Sequence, residues 1–185
     1  MPLSKKVQEL VDALAEHRQA LFDAVSELDE AQFAYRPADD AWSINDILHH
    51  LALSDEANAK LAFRALKHAR ERNIAADATP DTSVLNSLDG IFTPISDTKA
   101  QAPERVVPRE HLAADQSIAR MQASRANVLE AIEQLAAYDL TQLKYPHPML
   151  GDLDMYQWIL IGGGHERRHV AQIGRIKAAA GFPGN

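Results

Sequence analysis

Apolar residues recur every three or four positions in four long stretches of this chain, a spacing that places them along one face of an α-helix. The first stretch predicts a helix from about Ser4, a suitable N-cap, to about Leu28. An amphipathic helix has to bury its apolar face against another element. Because no alternating strand pattern of useful length is present, we expect an all-α four-helix bundle. The first stripe consists of Leu10, Leu14, His17, Leu21, Val25 and Leu28.

The second predicted helix has a well-marked start. Ser43 and Asp46 have the spacing of a capping box, with Asp in place of the usual Glu or Gln. Trp42 and Ile47 flank this cap at the spacing of a hydrophobic staple. We therefore expect a helix that begins after Ser43 and ends at about Arg70.

A long connection separates the second and third predicted helices. Residues 71–107 contain several prolines and show no steady period, so we expect them to cross one end of the bundle. The third helix is expected to begin near Pro108 or Arg109, because proline is tolerated in a first turn. It is expected to end near Tyr138.

The fourth predicted helix starts at a second capping-box pattern at Asp154 and ends at Gly181. A domain boundary within the long connection would leave two helices on each side, too few to bury their stripes. We therefore expect residues 1–185 to form a single bundle domain.

Composition narrows the chemistry. The formal net charge is −7 at pH 7, which provides no general attraction for the phosphates of nucleic acids. The 185 residues include no cysteine, which excludes disulfides, a thiol nucleophile, iron–sulfur clusters and cysteine-ligated zinc. A metal site must therefore use histidines and carboxylates, and the chain has eight histidines.

The N-terminal sequence lacks the apolar core of a secretory signal. The longest nearly apolar run, residues 158–164, is far shorter than the roughly 20 residues that span a bilayer. A soluble, cytoplasmic protein that does not enter membranes is expected.

His165 and His169 are four residues apart, so on a helix they share one face. They lie in line with apolar positions of the fourth stripe, and two imidazoles on a core face need polar partners. A metal ion would satisfy both, although two histidines at this spacing, taken alone, more often have a structural role. The run His-Glu-Arg-Arg-His also matches the zincin pattern, which makes Glu166 a minor candidate for a general base.

A third ligand has to come from another helix. His49 and His50 are adjacent in the second predicted helix, and only one of them can point at a given site. The pattern of neighbouring residues favours His50 inward and His49 outward.

Three segments together resemble the DinB-like (YfiT-like) metalloenzyme superfamily. They are Trp-Ser-Ile-Asn-Asp-Ile-Leu-His-His-Leu at 42–51, His-Pro-Met-Leu-Gly-Asp-Leu at 147–153, and Trp158 followed by His-Glu-Arg-Arg-His-Val-Ala-Gln-Ile at 165–173. Each motif alone is loose. Their order and spacing across most of the chain are fairly specific.

The resemblance implies a four-helix bundle that holds one divalent metal through His50, His165 and His169, with further coordination positions open. Zn, Ni or Fe suits imidazole ligands. Some members resemble transferases that use low-molecular-weight bacterial thiols, others are named as hydrolases, and many are homodimers. Because the chain has no cysteine, any thiol would have to come with the substrate.

The run Gly162-Gly163-Gly164 directly precedes His165 and departs from the usual pattern. Each glycine inside a helix costs roughly 1 kcal/mol relative to alanine. Either the helix is irregular there, or a neighbouring group approaches closely.

Other polar residues have two interpretations. His17 and His147 are expected to be a core histidine and a loop cap, or else to line the metal pocket. Arg125 is expected to reach a carboxylate, and the alternative is that it binds an incoming anionic substrate. Arg168 and Gln172 are candidates for orienting the metal-binding imidazoles. His68 and His111 are expected to be solvated.

Three functions are compatible with the sequence. The first is a metal-dependent thiol transferase or hydrolase acting on a small molecule. The second is a metal-binding or stress-related helical protein without catalysis. The third is a dimerisation bundle whose histidines are packed core groups.

Overall fold

The computed structural model describes residues 3–88, 102–110 and 112–184. Its helices and strands confirm an all-α bundle with one added hairpin. The long helices are α1 (Lys5–Val25), α3 (Ile44–Glu71), α4 (Ala114–Leu135) and α5 (Met155–Lys177), and the short helix is α2 (Glu30–Ala34). The strands are β1 (Lys144–His147) and β2 (Gly151–Asp154). Single 3₁₀ turns occupy Leu85–Leu88, Glu104–Val106 and Leu140–Gln142.

The expected caps of α1, α3 and α5 are present. Ser4 accepts a hydrogen bond from the amide of Val7 at the start of α1. At α3, the Ser43 hydroxyl accepts from the Asp46 amide at 3.2 Å, and Asp46 accepts from the Ser43 amide at 2.7 Å. Asp154 caps α5 in the same reciprocal way. These bonds satisfy amides that a helix start leaves without partners.

The start of α4 differs from the sequence-based prediction. The helix begins at Ala114 instead of near Pro108 or Arg109. Val107 is extended (φ −75°, ψ 127°), as expected for a residue that precedes proline. In the segment that follows, the Glu110 carbonyl bonds His49 of α3, a tertiary contact that sequence patterns do not reveal.

The four long helices run up, down, down and up. Helices α1 and α5 are parallel, since Lys6 lies over the ring of Tyr156 near their starts and Lys177 bonds Ala24 near their ends. Helices α3 and α4 are also parallel, since Glu56 pairs with Arg120 and, further along both helices, Arg70 bonds Gln134. Because α3 and α4 run in one direction, the chain between them has to return along the bundle.

The prediction that the long connection crosses one end of the bundle is therefore wrong. Its first part lies at the start of α1, where the Lys6 amide donates to the carbonyl of Pro80 at 3.1 Å. Its last part lies near the start of α3, where the Val106 carbonyl bonds His50. The described parts at its two ends are therefore separated by most of the length of α3, since the rise from His50 to Glu71 is about 32 Å.

The hairpin β1–β2 was not predicted. Tyr145 pairs with Leu153 and His147 with Gly151, which has φ +76°. The Trp158 indole donates to the Tyr145 carbonyl at 3.0 Å and so attaches the hairpin to α5. Each strand has four residues, which is too short for an alternating pattern to be recognised.

A polar layer divides the core of the bundle. One apolar cluster contains Leu14 and Ala59, and a second contains Leu21 and Leu51. Between them each long helix contributes a buried charged residue. These residues are Arg18, Asp55, Arg125 and Glu166.

The glycine run lies inside the continuous helix α5, and a close neighbour explains Gly163. A Cβ at Gly163 would lie 2.7 Å from Cδ2 of His17, which is shorter than any ordinary contact. Of the two expectations for this run, close approach of a neighbouring group is the one that the structure shows here.

This packing predicts opposite effects for one substitution at two positions of α5. Gly163→Ala should be about 1–3 kcal/mol less stable than Gly174→Ala, because His17 has to move. At Gly174 a Cβ would meet no described atom within 4 Å, so only the gain in helix propensity remains. Urea unfolding measures both. Adding His17→Ala should remove the difference, and equal effects without it would contradict the packing argument.

Candidate metal centre

Three imidazoles converge between α3 and α5. The Nε2 atom of His165 lies 3.1 Å from Nε2 of His50 and 3.0 Å from Nε2 of His169. One ligand atom from each residue lies within 4.8 Å of the others. His50 and His169 are buried, at 4% and 7% exposure. The spacing of His165 and His169 on α5, with His50 opposite, brings the three predicted ligand residues together.

The hydrogen bonds of the other ring nitrogens show that this cluster fits a cation. Nδ1 of His50 bonds the Val106 carbonyl at 2.7 Å, and Nδ1 of His169 bonds Oε1 of Gln172 at 2.8 Å. Since both partners are acceptors, both Nδ1 atoms carry the hydrogen, and each neutral ring presents a lone pair at Nε2. His165 can donate one hydrogen at most from its own Nε2. The lone pair on Nε2 of His50 or of His169 is therefore left without a hydrogen-bond donor. A metal ion bound between the three rings would accept that lone pair.

Burial keeps these imidazoles in the form that binds metal. It lowers the pKa of His165 well below its ordinary value, and the other two rings add to the effect. Burial and the neighbouring His50 lower the pKa of His169 to about 3. Burial likewise lowers the pKa of His50. Metal binding requires neutral imidazole, so little proton release is needed near neutral pH.

His49 does not point outward, and that prediction is wrong. Its side chain is 4% exposed. Nδ1 of His49 donates to the Glu110 carbonyl at 3.2 Å, and Nε2 faces Arg120 at 3.4 Å. The adjacent His49 and His50 thus both hold the segment before α4 through backbone carbonyls. The sequence could not show this, because the covering segment lies 56–61 residues away.

Glu166 lies in the polar layer of the core and not among the imidazoles. It is 1% exposed, and its Oε1 accepts from Arg18 Nε at 3.1 Å and from Arg125 Nη2 at 2.6 Å. A general base has to reach the proton that it removes. The structure therefore does not support the water-activating role expected from the zincin pattern.

Arg125 reaches a carboxylate, as expected, and bonds the Leu14 carbonyl at 2.8 Å. Asp55 and Arg18, which complete the layer, were missed. Burial lowers the pKa of Arg18, but its bonds to Glu166 and Asp55 outweigh this and raise it. One signal was present: Arg18 follows Leu14 by four positions and so lies in the apolar stripe of α1.

Comparison with known proteins assigns the chain to a family. The family model described as the DinB superfamily matches residues 13–173. The chain belongs to the DinB superfamily. It is 25% identical over 163 residues to the uncharacterized protein YuaE of Bacillus subtilis (strain 168), covering 88% of this chain and 93% of YuaE.

A solved structure supports the fold of this DinB-superfamily chain. TT2238, described as a four-helix bundle protein, superposes with a TM-score of 0.61 at 19% identity. The match covers 91% of this chain and 98% of TT2238. Among the residues that the structure describes, no helix is long and apolar enough to cross a membrane. The homodimer that the family resemblance implies for this chain stays a prediction.

The remaining predicted residues lie at different places around the candidate metal centre. Gln172 bonds His169, whereas His17 packs on Gly163. Arg168 and His147 lie near enough to His165 for their positive charge to contribute to its lowered pKa. The ring of His147 lies 4.9 Å from that of Trp158.

The two histidines expected to be solvated have different outcomes. His68 is half-buried, and its Nδ1 lies 2.8 Å from the Tyr145 hydroxyl. His111 lies outside the described residues.

Proposed function

We propose that this chain is a metal-dependent enzyme in which His50, His165 and His169 hold one divalent cation. The proposal rests mainly on the three Nε2 atoms, which face one another. Nδ1 of His50 and of His169 donate to acceptors, so their Nε2 atoms are free to bind a cation. Three protein ligands leave coordination positions for a substrate. The chemistry of the donor set suits Zn, Ni or Fe.

The protein residues would orient and shield this centre. The Val106 carbonyl and the Gln172 amide fix the rotation of two imidazoles. Trp42 lies against His50 with ring centroids 4.9 Å apart, which covers another side. A bound divalent cation supplies a Lewis acid that lowers the pKa of a thiol or water placed on it.

The proposed reaction is transfer of a small thiol to an electrophile, or hydrolysis of a small molecule. The chain contains no cysteine, so the thiol is a co-substrate rather than a part of the protein. The net charge of −7 favours a small-molecule substrate over nucleic acid.

Turnover by the metal-loaded protein tests the proposal. We expect Zn-, Ni- or Fe-loaded protein to consume either a chromogenic haloarene in the presence of cysteine, or a chromogenic ester in water. Chelation should stop the reaction, and His165→Ala should be at least about 100-fold slower, since a ligand matters more than the residues that orient it. Stoichiometric metal without turnover of either probe would contradict the enzyme and favour a metal-binding or stress-related bundle.

A further inference from the structure

The polar layer of the core lies next to the candidate metal centre along the chain. Glu166 directly follows His165 in α5, and Asp55 lies five residues after His50 in α3. The four charged side chains of the layer are 1–8% exposed and carry two positive and two negative charges. The layer therefore introduces no net charge beside a bound cation.

The arginines of the layer join the two helices that carry the imidazoles. Nη2 of Arg18 donates both to Asp55 of α3 and to Oε1 of Glu166 of α5, the latter at 2.5 Å. Nη2 of Arg125 donates to the same Glu166 oxygen at 2.6 Å. Two carboxylates that would otherwise repel are thus held together by guanidinium groups from α1 and α4.

Apolar packing between α3 and α5 is incomplete beside this layer. Gly162 has no side chain, and among the described atoms a Cβ there would meet only the Asn58 amide, at 3.4 Å. A cavity of about 20 Å³, about the size of one water, lies between Asn58, Gly162, Trp158 and Arg125. At this level the charged layer, rather than interlocking apolar side chains, connects α5 to α3.

We propose that Arg18 and Glu166 are positioning residues that fix α5 against α3, so that His165 and His169 meet His50. This inference rests on the proposed metal centre. Metal ligands have to be held within about 0.5 Å of their working geometry. Buried ion pairs add little net stability compared with apolar side chains, and in some proteins their directional bonds instead specify one arrangement. A planar guanidinium suits this role because it can bond two carboxylates at once.

Titration with Co²⁺ followed by visible absorption tests the proposal. The ligand-field bands of Co²⁺ report coordination geometry, which a loss of stability alone does not change at saturating metal. Arg18→Lys keeps the charge of the layer but loses the planar fork. Glu166→Gln keeps the shape but removes the charge that both arginines contact.

We expect both variants to bind Co²⁺ about tenfold more weakly or worse, the scale typical of residues that orient metal ligands, and with shifted bands at saturation. The matched control is Asp77→Asn. Asp77 accepts from Lys6 at 2.7 Å and from Tyr156 at 2.8 Å near the start of α1, about 18 Å along that helix from Arg18. It should lose stability but keep the wild-type spectrum and affinity.

The outcomes separate the two proposals. If wild-type protein binds Co²⁺ and Arg18→Lys shows the same affinity and bands, the positioning role is overturned while the metal centre stands. Arg18→Lys decides this if Glu166→Gln fails to fold. If Asp77→Asn shifts the bands as much as the layer variants do, the effect is general destabilisation and the positioning role is again overturned. If wild-type protein binds no Co²⁺, both proposals fail.

Discussion

His165→Ala is expected to weaken metal binding by at least about 100-fold, so that the purified variant retains little metal. His165 is central, because its Nε2 lies 3.0–3.1 Å from those of both other imidazoles. Removing a residue that merely orients a ligand costs 10–100-fold in affinity, and removing the ligand itself should cost more. Elemental analysis of wild type and variant, purified in parallel, measures the difference.

The control for this prediction is His68→Ala. His68 is half-buried and bonds the Tyr145 hydroxyl, so it tests the loss of a histidine away from the cluster. It should retain wild-type metal content. Equal, substoichiometric metal in all three proteins would eliminate the three-histidine centre and favour packed core histidines.

Arg18→Met is expected to lower the free energy of unfolding by about 3–5 kcal/mol at pH 7. The substitution removes the guanidinium that contacts both Asp55 and Glu166, which are 5% and 1% exposed. Arg125 alone then faces two buried carboxylates, which leaves an uncompensated negative charge. Urea unfolding measures the loss.

The same variant should have a distinctive pH dependence. Burial already raises the pKa of Asp55 above its ordinary value of 3.8. A raised carboxyl pKa favours folding at low pH, and this contribution is lost as pH rises through the folded pKa. Because losing Arg18 raises that pKa further, the destabilisation should be smaller at pH 4 than at pH 7.

An exposed ion pair provides the comparison for Arg18→Met. Glu104 and Arg109 pair at 2.6 Å with side chains 87% and 68% exposed. Glu104→Ala should change stability by less than about 1 kcal/mol, since solvent screens such pairs. A loss in Arg18→Met that is equally small, or unchanged between pH 4 and 7, would show that the layer is not a charge network.

Local features could be predicted because they depend on neighbours in sequence. The caps at Ser4, Ser43 and Asp154 follow from side chains that reach amides three residues away. The apolar stripes follow from the helical period. The shared face of His165 and His169 follows from the same period, and the resemblance to a family singled out His50.

Features that depend on distant contacts could not be predicted. His49 is buried because residues near 110 cover it, and the two ends of the long connection lie far apart along the bundle because α3 and α4 are parallel. The start of α4 and the hairpin were likewise decided by packing against other elements. Glu166 resembled a catalytic base in its motif, but its partners come from α1 and α4.

The sequence by itself determined the four amphipathic helices, the absence of cysteine and the candidate histidines, since each is a matter of residue type and spacing. Only the tertiary structure decided that three Nε2 atoms meet, that Nδ1 of His50 and of His169 face acceptors, and that a charged layer lies beside them. The physical reason is range. Helical periodicity acts over a few residues, whereas Arg18 and Glu166 are 148 positions apart and come into contact only when the helices pack.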